Sequence, residues 1–162
     1  MCQNDDMHPA AEIEVAEFTG QLFFRLWRAL HTKTAAALQT IGLTPALFAV
    51  LNYLHANEGA IQQQVGSAMG IDPSTMVSLV DQLERAGLAK RRPHQQDRRA
   101  REVLITPKGR RALNRARRLA QEVEDDVLQG LSPSERGQLV TLLRKAFAAA
   151  PAQPLWSSAE GD

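Results

Sequence analysis

The chain of 162 residues has one cysteine, Cys2, so no disulfide can close within it, and its four histidines are scattered without the spacing of zinc ligands. Neither a metal site nor a cofactor is expected. Aromatic residues make up only 5% of the sequence, too few for the stacking platforms on which single-stranded RNA is usually held. Long apolar runs are missing as well: stretches such as Ala46 to Leu51 fall far short of a bilayer span. Met1 to His8 carries acids rather than a basic flank and an apolar segment, which argues against a signal peptide. A cytoplasmic protein with no membrane partner is expected. There is no Ser-His-Asp order around a nucleophile turn, no glycine-rich phosphate loop and no metal-ligand pair, so an enzyme is not expected. Cys2 lies in a polar tail, away from any packed helix or base that would form its thiolate, which argues against a redox switch.

With 44% apolar residues the chain can bury one domain's core without staples. Its net charge is only +1, but that mean hides an asymmetry. Residues 85–118 hold 13 of the 19 Lys and Arg against two acids, Asp97 and Glu102, whereas residues 1–84 hold three bases and nine acids. A block with a local excess of +11 repels itself unless an anion meets it. The composition therefore points to a polyanionic partner.

Apolar residues recur at three and four from Glu12 to about Ile41 (Ile13, Ala16, Leu22, Phe23, Leu26, Trp27, Leu30, Ala37, Leu38), the period of a helix that Gly42 ends. Thr44-Pro45 opens a second helix, running to about Asn57, and Ile61, Val65, Ala68 and Met69 mark a short third one stopped by Gly70. No strand-like stretch occurs up to this point. Asp72-Pro73-Ser74-Thr75 is a strong helix start, because Asp72 can accept from free backbone N–H groups and Pro73 has none to leave unpaired. That fourth helix is expected to run to Ala86, with Gly87 as its stop. The period then changes. Leu88 to Arg92 and Arg101 to Thr106 read as two short strands, joined by the polar loop from Pro93 to Ala100. Thr106-Pro107 opens a long fifth helix, basic and then acidic, that Gly130 closes, and Ser132-Pro133-Ser134-Glu135 is a capping box for a sixth.

A short helix, a tight turn, a second helix and a basic hairpin are the parts of a winged helix-turn-helix, whose second helix enters the major groove of duplex DNA. On the fourth helix Met76, Val80 and Leu83 form one apolar stripe, flanked by Val77 and Leu79. Ser74, Thr75, Ser78, Gln82 and Arg85 share the other face. Ser, Thr and Gln can bond bases or phosphates, and Arg85, nearer the C-terminus, suits phosphate. The hairpin adds Arg91, Arg92, His94, Arg98, Arg99 and Arg101, and a slender arginine-tipped loop fits a minor groove. Asp97 makes sense there if it orients an arginine through a bidentate pair. A winged helix used only for protein contacts is the alternative reading; it would not need the basic block or Arg98 and Arg99.

The runs Gly70-Ile71-Asp72-Pro73-Ser74-Thr75, Leu79-Val80-Asp81-Gln82-Leu83-Glu84-Arg85-Ala86-Gly87-Leu88, Arg91-Arg92-Pro93, Asp97-Arg98-Arg99-Ala100 and Leu104-Ile105-Thr106-Pro107-Lys108-Gly109 resemble the MarR family of bacterial transcription regulators. The resemblance is dense over residues 61–109 and extends over roughly 12–149. It implies a mainly α fold of six helices with a two-stranded β-wing, organised as a winged helix-turn-helix at 43–109, a linking helix at 107–130 and dimerisation helices at 12–42 and 120–149. Residues 1–11 and 150–162 would be flexible tails. It implies an obligate-type homodimer on a pseudo-palindromic double-stranded operator, repression of a nearby operon, and Arg99 as the minor-groove residue held by Asp97. Many relatives carry Thr-Arg where this chain has Val77-Ser78, so specificity is expected to lean on Ser, Thr and the wing.

The two chain ends carry more apolar surface than one small core needs, and Phe18, Leu22, Leu26, Leu139, Leu142, Leu143 and Phe147 are expected to build a two-chain bundle. The family's usual ligand pocket lies between those helices and the winged domain. Trp27, His31, Phe48 and Tyr53 could supply aromatic walls with polar tips there, suited to a small aromatic acid.

Overall fold

The computed structural model describes residues 18–94 and 100–149. Six helices and a two-stranded sheet follow in the order α1 (Thr19–Gln39), α2 (Pro45–Ala56), α3 (Gln62–Met69), α4 (Pro73–Arg85), β1 (Ala89–Pro93), β2 (Arg101–Ile105), α5 (Pro107–Val127) and α6 (Pro133–Ala149). The expected start of the first helix at Glu12, with Ile13 and Ala16, lies outside the described residues, as do both expected tails and Cys2.

Local chemistry sets the helix starts. The Thr44 hydroxyl accepts from the Leu47 amide (3.2 Å) and the Thr106 hydroxyl from the Gly109 amide (2.9 Å). The Asp72 carboxylate accepts from the amides of Ser74 and Thr75, both at 3.0 Å. At α6 the capping box closes reciprocally: Glu135 accepts from the Ser132 amide (2.8 Å) while its own amide donates to the Ser132 hydroxyl (3.4 Å). Gly70, with φ +67°, makes the left-handed turn between α3 and α4 that a side chain would resist.

β1 and β2 pair antiparallel in the register Ala89↔Ile105 through Pro93↔Arg101. The first strand begins one residue later than the sequence pattern suggests, because the Leu88 amide is spent on the Leu83 carbonyl (2.8 Å) in closing α4. α5 ends at Val127, three residues before Gly130. One strand-like contact does precede the hairpin: Ile61 forms an isolated bridge to Glu102, and the Val103 amide donates to the Ala60 carbonyl (3.0 Å). The entry to α3 is thereby pinned to the wing.

The buried core draws Leu38 from the end of α1, Leu47, Val50, Leu51 and Leu54 from α2, Val65 and Met69 from α3, Met76, Val80 and Leu83 from α4, Val103 and Ile105 from β2, and Leu113 and Ala116 from α5. It is centred on the winged helix-turn-helix and completed by one residue of α1 and by the first half of α5. Leu38 is the one buried residue of α1, and α6 has none. Phe18, Leu22, Phe23, Phe24, Trp27, Leu142, Leu143 and Phe147 are exposed. Phe23 shares one open recess with Leu143, Ala146 and Phe147, so the apolar surfaces of the two chain ends adjoin.

Candidate nucleic-acid interface

α4 is two-faced. Met76, Leu79, Val80 and Leu83 are buried, whereas Ser74, Thr75, Ser78, Gln82 and Arg85 are all exposed. Val77, grouped with the apolar flank in the sequence, is 44% exposed instead and stands beside the polar face. Some of the polar groups are pre-engaged: the Ser74 hydroxyl donates to Asp72 (2.5 Å), and Gln82 Nε2 donates to the Ser78 hydroxyl (3.3 Å). Local bonds of this kind hold rotamers while leaving further lone pairs and protons for a base or a phosphate.

Hydrogen bonds from the side chains of Ser74 and Thr75, and from their amides, hold the Asp72 carboxyl well below the usual carboxylate range. The sign follows directly. A carboxyl that binds its proton less tightly folded than unfolded stabilises the fold above its ordinary pKa, and that contribution drains away as pH falls from about 4. Asp72→Asn keeps a cap acceptor but has no proton to bind. Its thermal midpoint is expected to fall less steeply than wild type below about pH 4, and parallel midpoint–pH curves would count against this role for the carboxylate.

The wing divides its cations. Arg91 turns toward α4: Nη1 donates to Asp81 Oδ1 and Glu84 Oε2, both at 2.5 Å, Nε to Gln62 Oε1 (2.8 Å) and Nη2 to the Val77 carbonyl (3.2 Å). The expectation that Arg91 joins the outward cations of the wing therefore meets an arginine whose fork is already occupied. Arg92 pairs with Glu102 (2.5 Å) but is still 52% exposed, and His94 Nε2 lies 3.8 Å from the other oxygen of that carboxylate. Glu102 is buried although alternation places it opposite Val103 and Ile105; its carboxylate is engaged by Arg92 and its backbone bridges Ile61. Arg101 is exposed and, with Gln62, Gln63, Ser67 and Val77, borders a cleft of about 470 Å3 between α3, α4 and the wing. Asp97, Arg98 and Arg99 lie outside the described residues.

The base of the wing is fastened to α4. The Thr106 hydroxyl donates to the Gly87 carbonyl (2.7 Å), its amide to that of Leu88 (3.0 Å), and Lys108 Nζ to that of Ala86 (2.7 Å). Farther along α5, Arg111, Arg115 and Arg118 are exposed, while Arg117 donates to Asn52 (2.9 Å). Lys33 forms an ion pair with Asp126, tying the far end of α5 to α1.

The four aromatic candidates do not form one stack. Trp27 and His31 lie on the exposed side of α1 with ring centroids 5.0 Å apart and planes 21° from parallel, and Phe24 leans on Trp27. Phe48 and Tyr53, on α2, are half-buried against the core. Missed by the sequence reading were Asp81, Glu84 and Gln62, the partners of Arg91. The signal that could have found them is two acids three apart on a helix otherwise set beside the most basic stretch of the chain. Among the described residues no cluster of His, Cys, Asp or Glu could hold a metal, and no helix is long and apolar enough to cross a membrane.

A family model described as the MarR family matches residues 41–100. The chain is 33% identical over 141 residues to a protein of Thauera aromatica, provisionally described as the transcriptional regulatory protein for the hcr operon, and the match covers 85% of each. Among solved structures, it resembles the transcriptional repressor CouR bound to a 23-mer DNA duplex, with 32% identity, 80% of this chain and 92% of that one covered, and a TM-score of 0.71. A MarR family protein of Mycobacterium tuberculosis, Rv2887, in complex with DNA is similar at 25% identity, with 80% and 98% covered and a TM-score of 0.72.

Proposed function

The chain belongs to the MarR family of transcriptional regulators, and from that premise we propose that it is a homodimeric, sequence-specific repressor of a nearby operon, acting in the cytoplasm on double-stranded DNA. The observation that carries the reading is the division of α4, which buries Met76, Leu79, Val80 and Leu83 while offering Ser74, Thr75, Ser78, Gln82 and Arg85 to solvent. Two copies of α4 set roughly 34 Å apart would enter successive major grooves of a pseudo-palindromic operator. Arg92, His94, Arg98 and Arg101 would neutralise phosphate, and Arg99, oriented by Asp97, would enter the minor groove. A small aromatic acid seated near Trp27, His31, Phe48 and Tyr53 would release the operator.

Titration of a fluorescent duplex at several salt concentrations tests the reading. Each neutralised phosphate should contribute roughly −0.9 to the slope of log affinity against log salt. Arg99→Ala should cost about 1–3 kcal/mol, with smaller losses for Arg117→Ala and Arg118→Ala. Binding without salt dependence would sink the proposal, and equal losses at all three sites would remove the special role of the wing. In the same titration, an aromatic acid that lowers the affinity supports ligand release; a panel of such acids with no effect counts against it.

A further inference from the structure

Three elements meet on one guanidinium. Arg91 of β1 joins Asp81 and Glu84 of α4, the backbone carbonyl of Val77, and Gln62 at the first turn of α3, while its own amide donates to Glu84 Oε1 (2.6 Å). Its side chain is only 21% exposed. A planar fork with five fixed donors suits such a junction, whereas the ammonium of a lysine is a point charge that cannot span it. Asp81 and Glu84 are acids within α4 itself, and by charge alone they would repel a phosphate backbone. Their presence is accounted for if they serve the wing instead. We propose that Arg91 is a positioning residue, which fixes the angle between α4 and the wing so that both reach the same duplex, and that it makes no phosphate contact of its own. This inference rests on the DNA-binding reading above.

The test uses the full chain and the duplex that it retains most tightly from a random pool, with affinity measured across a salt series. Glu84→Gln removes a negative charge beside the interface, so a purely electrostatic account has it binding DNA more tightly. Loss of positioning has it binding more weakly, by about two- to thirty-fold. Arg91→Lys keeps the charge but not the fork, and is expected to lose about as much as Arg91→Ala. The salt slope should stay at the wild-type value in all three. Should Arg91→Ala fail to fold by circular dichroism, the other two variants carry the test. Tighter or unchanged binding by Glu84→Gln overturns the inference. So does wild-type affinity in Arg91→Lys together with a slope about 0.9 shallower in Arg91→Ala, the mark of a lost phosphate contact. A wild-type protein that ignores every duplex in dilute buffer overturns the DNA-binding reading, and this inference with it.

Discussion

Glutamate at both Leu142 and Phe147 is expected to yield a folded monomer whose affinity for a duplex with two half-sites falls by about 10²–10⁴-fold. These side chains are 65% and 72% exposed, on a helix that buries none of its residues in its own chain. Phe147 adjoins α1, where exposed Phe23 shares a recess with it and with Leu143. A contiguous patch of that kind is uncommon on a monomer, and each large side chain covered by a partner contributes about 1.5–3 kcal/mol. Two buried carboxylates would more than cancel that gain. Since the core of the winged domain draws nothing from α6, the fold itself should survive. Light scattering on the eluted peak reads the mass, and the duplex titration reads the lost linkage between half-sites. A variant that remains dimeric places the interface elsewhere, and a monomer with undiminished affinity removes any need for two half-sites.

Gly109→Ala is expected to destabilise the fold by about 3 kcal/mol or more, the range of severe overpacking. A Cβ at this position would lie 2.0 Å from the Leu88 carbonyl oxygen and 2.9 Å from Ile105 Cγ1. The first obstacle is backbone, and that carbonyl already accepts from the amide (3.0 Å) and hydroxyl (3.1 Å) of Thr106. The first turn of α5 therefore cannot move away without releasing the root of the wing. Gly137→Ala is the matched control: nothing lies within 4 Å of its added methyl, and the helix interior favours alanine by up to about 1 kcal/mol. Urea unfolding should move the two variants in opposite directions, and a Gly109→Ala midpoint equal to wild type would contradict the close contact.

What the sequence discloses of this molecule is what neighbours in the chain decide. The caps at Thr44, Asp72, Thr106 and Ser132 are legible because the acceptor and the amides it serves lie within three residues of one another. The polar and apolar faces of α4 are legible because a helix repeats every 3.6 residues. The register of the wing is less so. Leu88 has the pattern of a strand residue, yet its amide closes the preceding helix. Val77 has the composition of core, but it falls at the edge of the buried stripe, where only the packing of α4 decides its exposure. The junction at Arg91 is not legible from spacing, since its partners at positions 62, 81 and 84 come together only when α3, α4 and β1 have docked. Glu102 is no more legible: it is buried, and it bridges a residue 41 positions earlier in the chain.

α5 is fastened at both ends, through Thr106 and Lys108 to the carbonyls that follow α4 and through Asp126 to α1. Its 21 residues make a lever about 31 Å long. Pivoting it by about 5° would carry one end sideways by about 3 Å over that length, close to the 3.4 Å rise between stacked base pairs. In the homodimer proposed above, a small rearrangement among the terminal helices would thus be geared up into a displacement large enough to put the paired reading heads out of step with the pitch of the double helix.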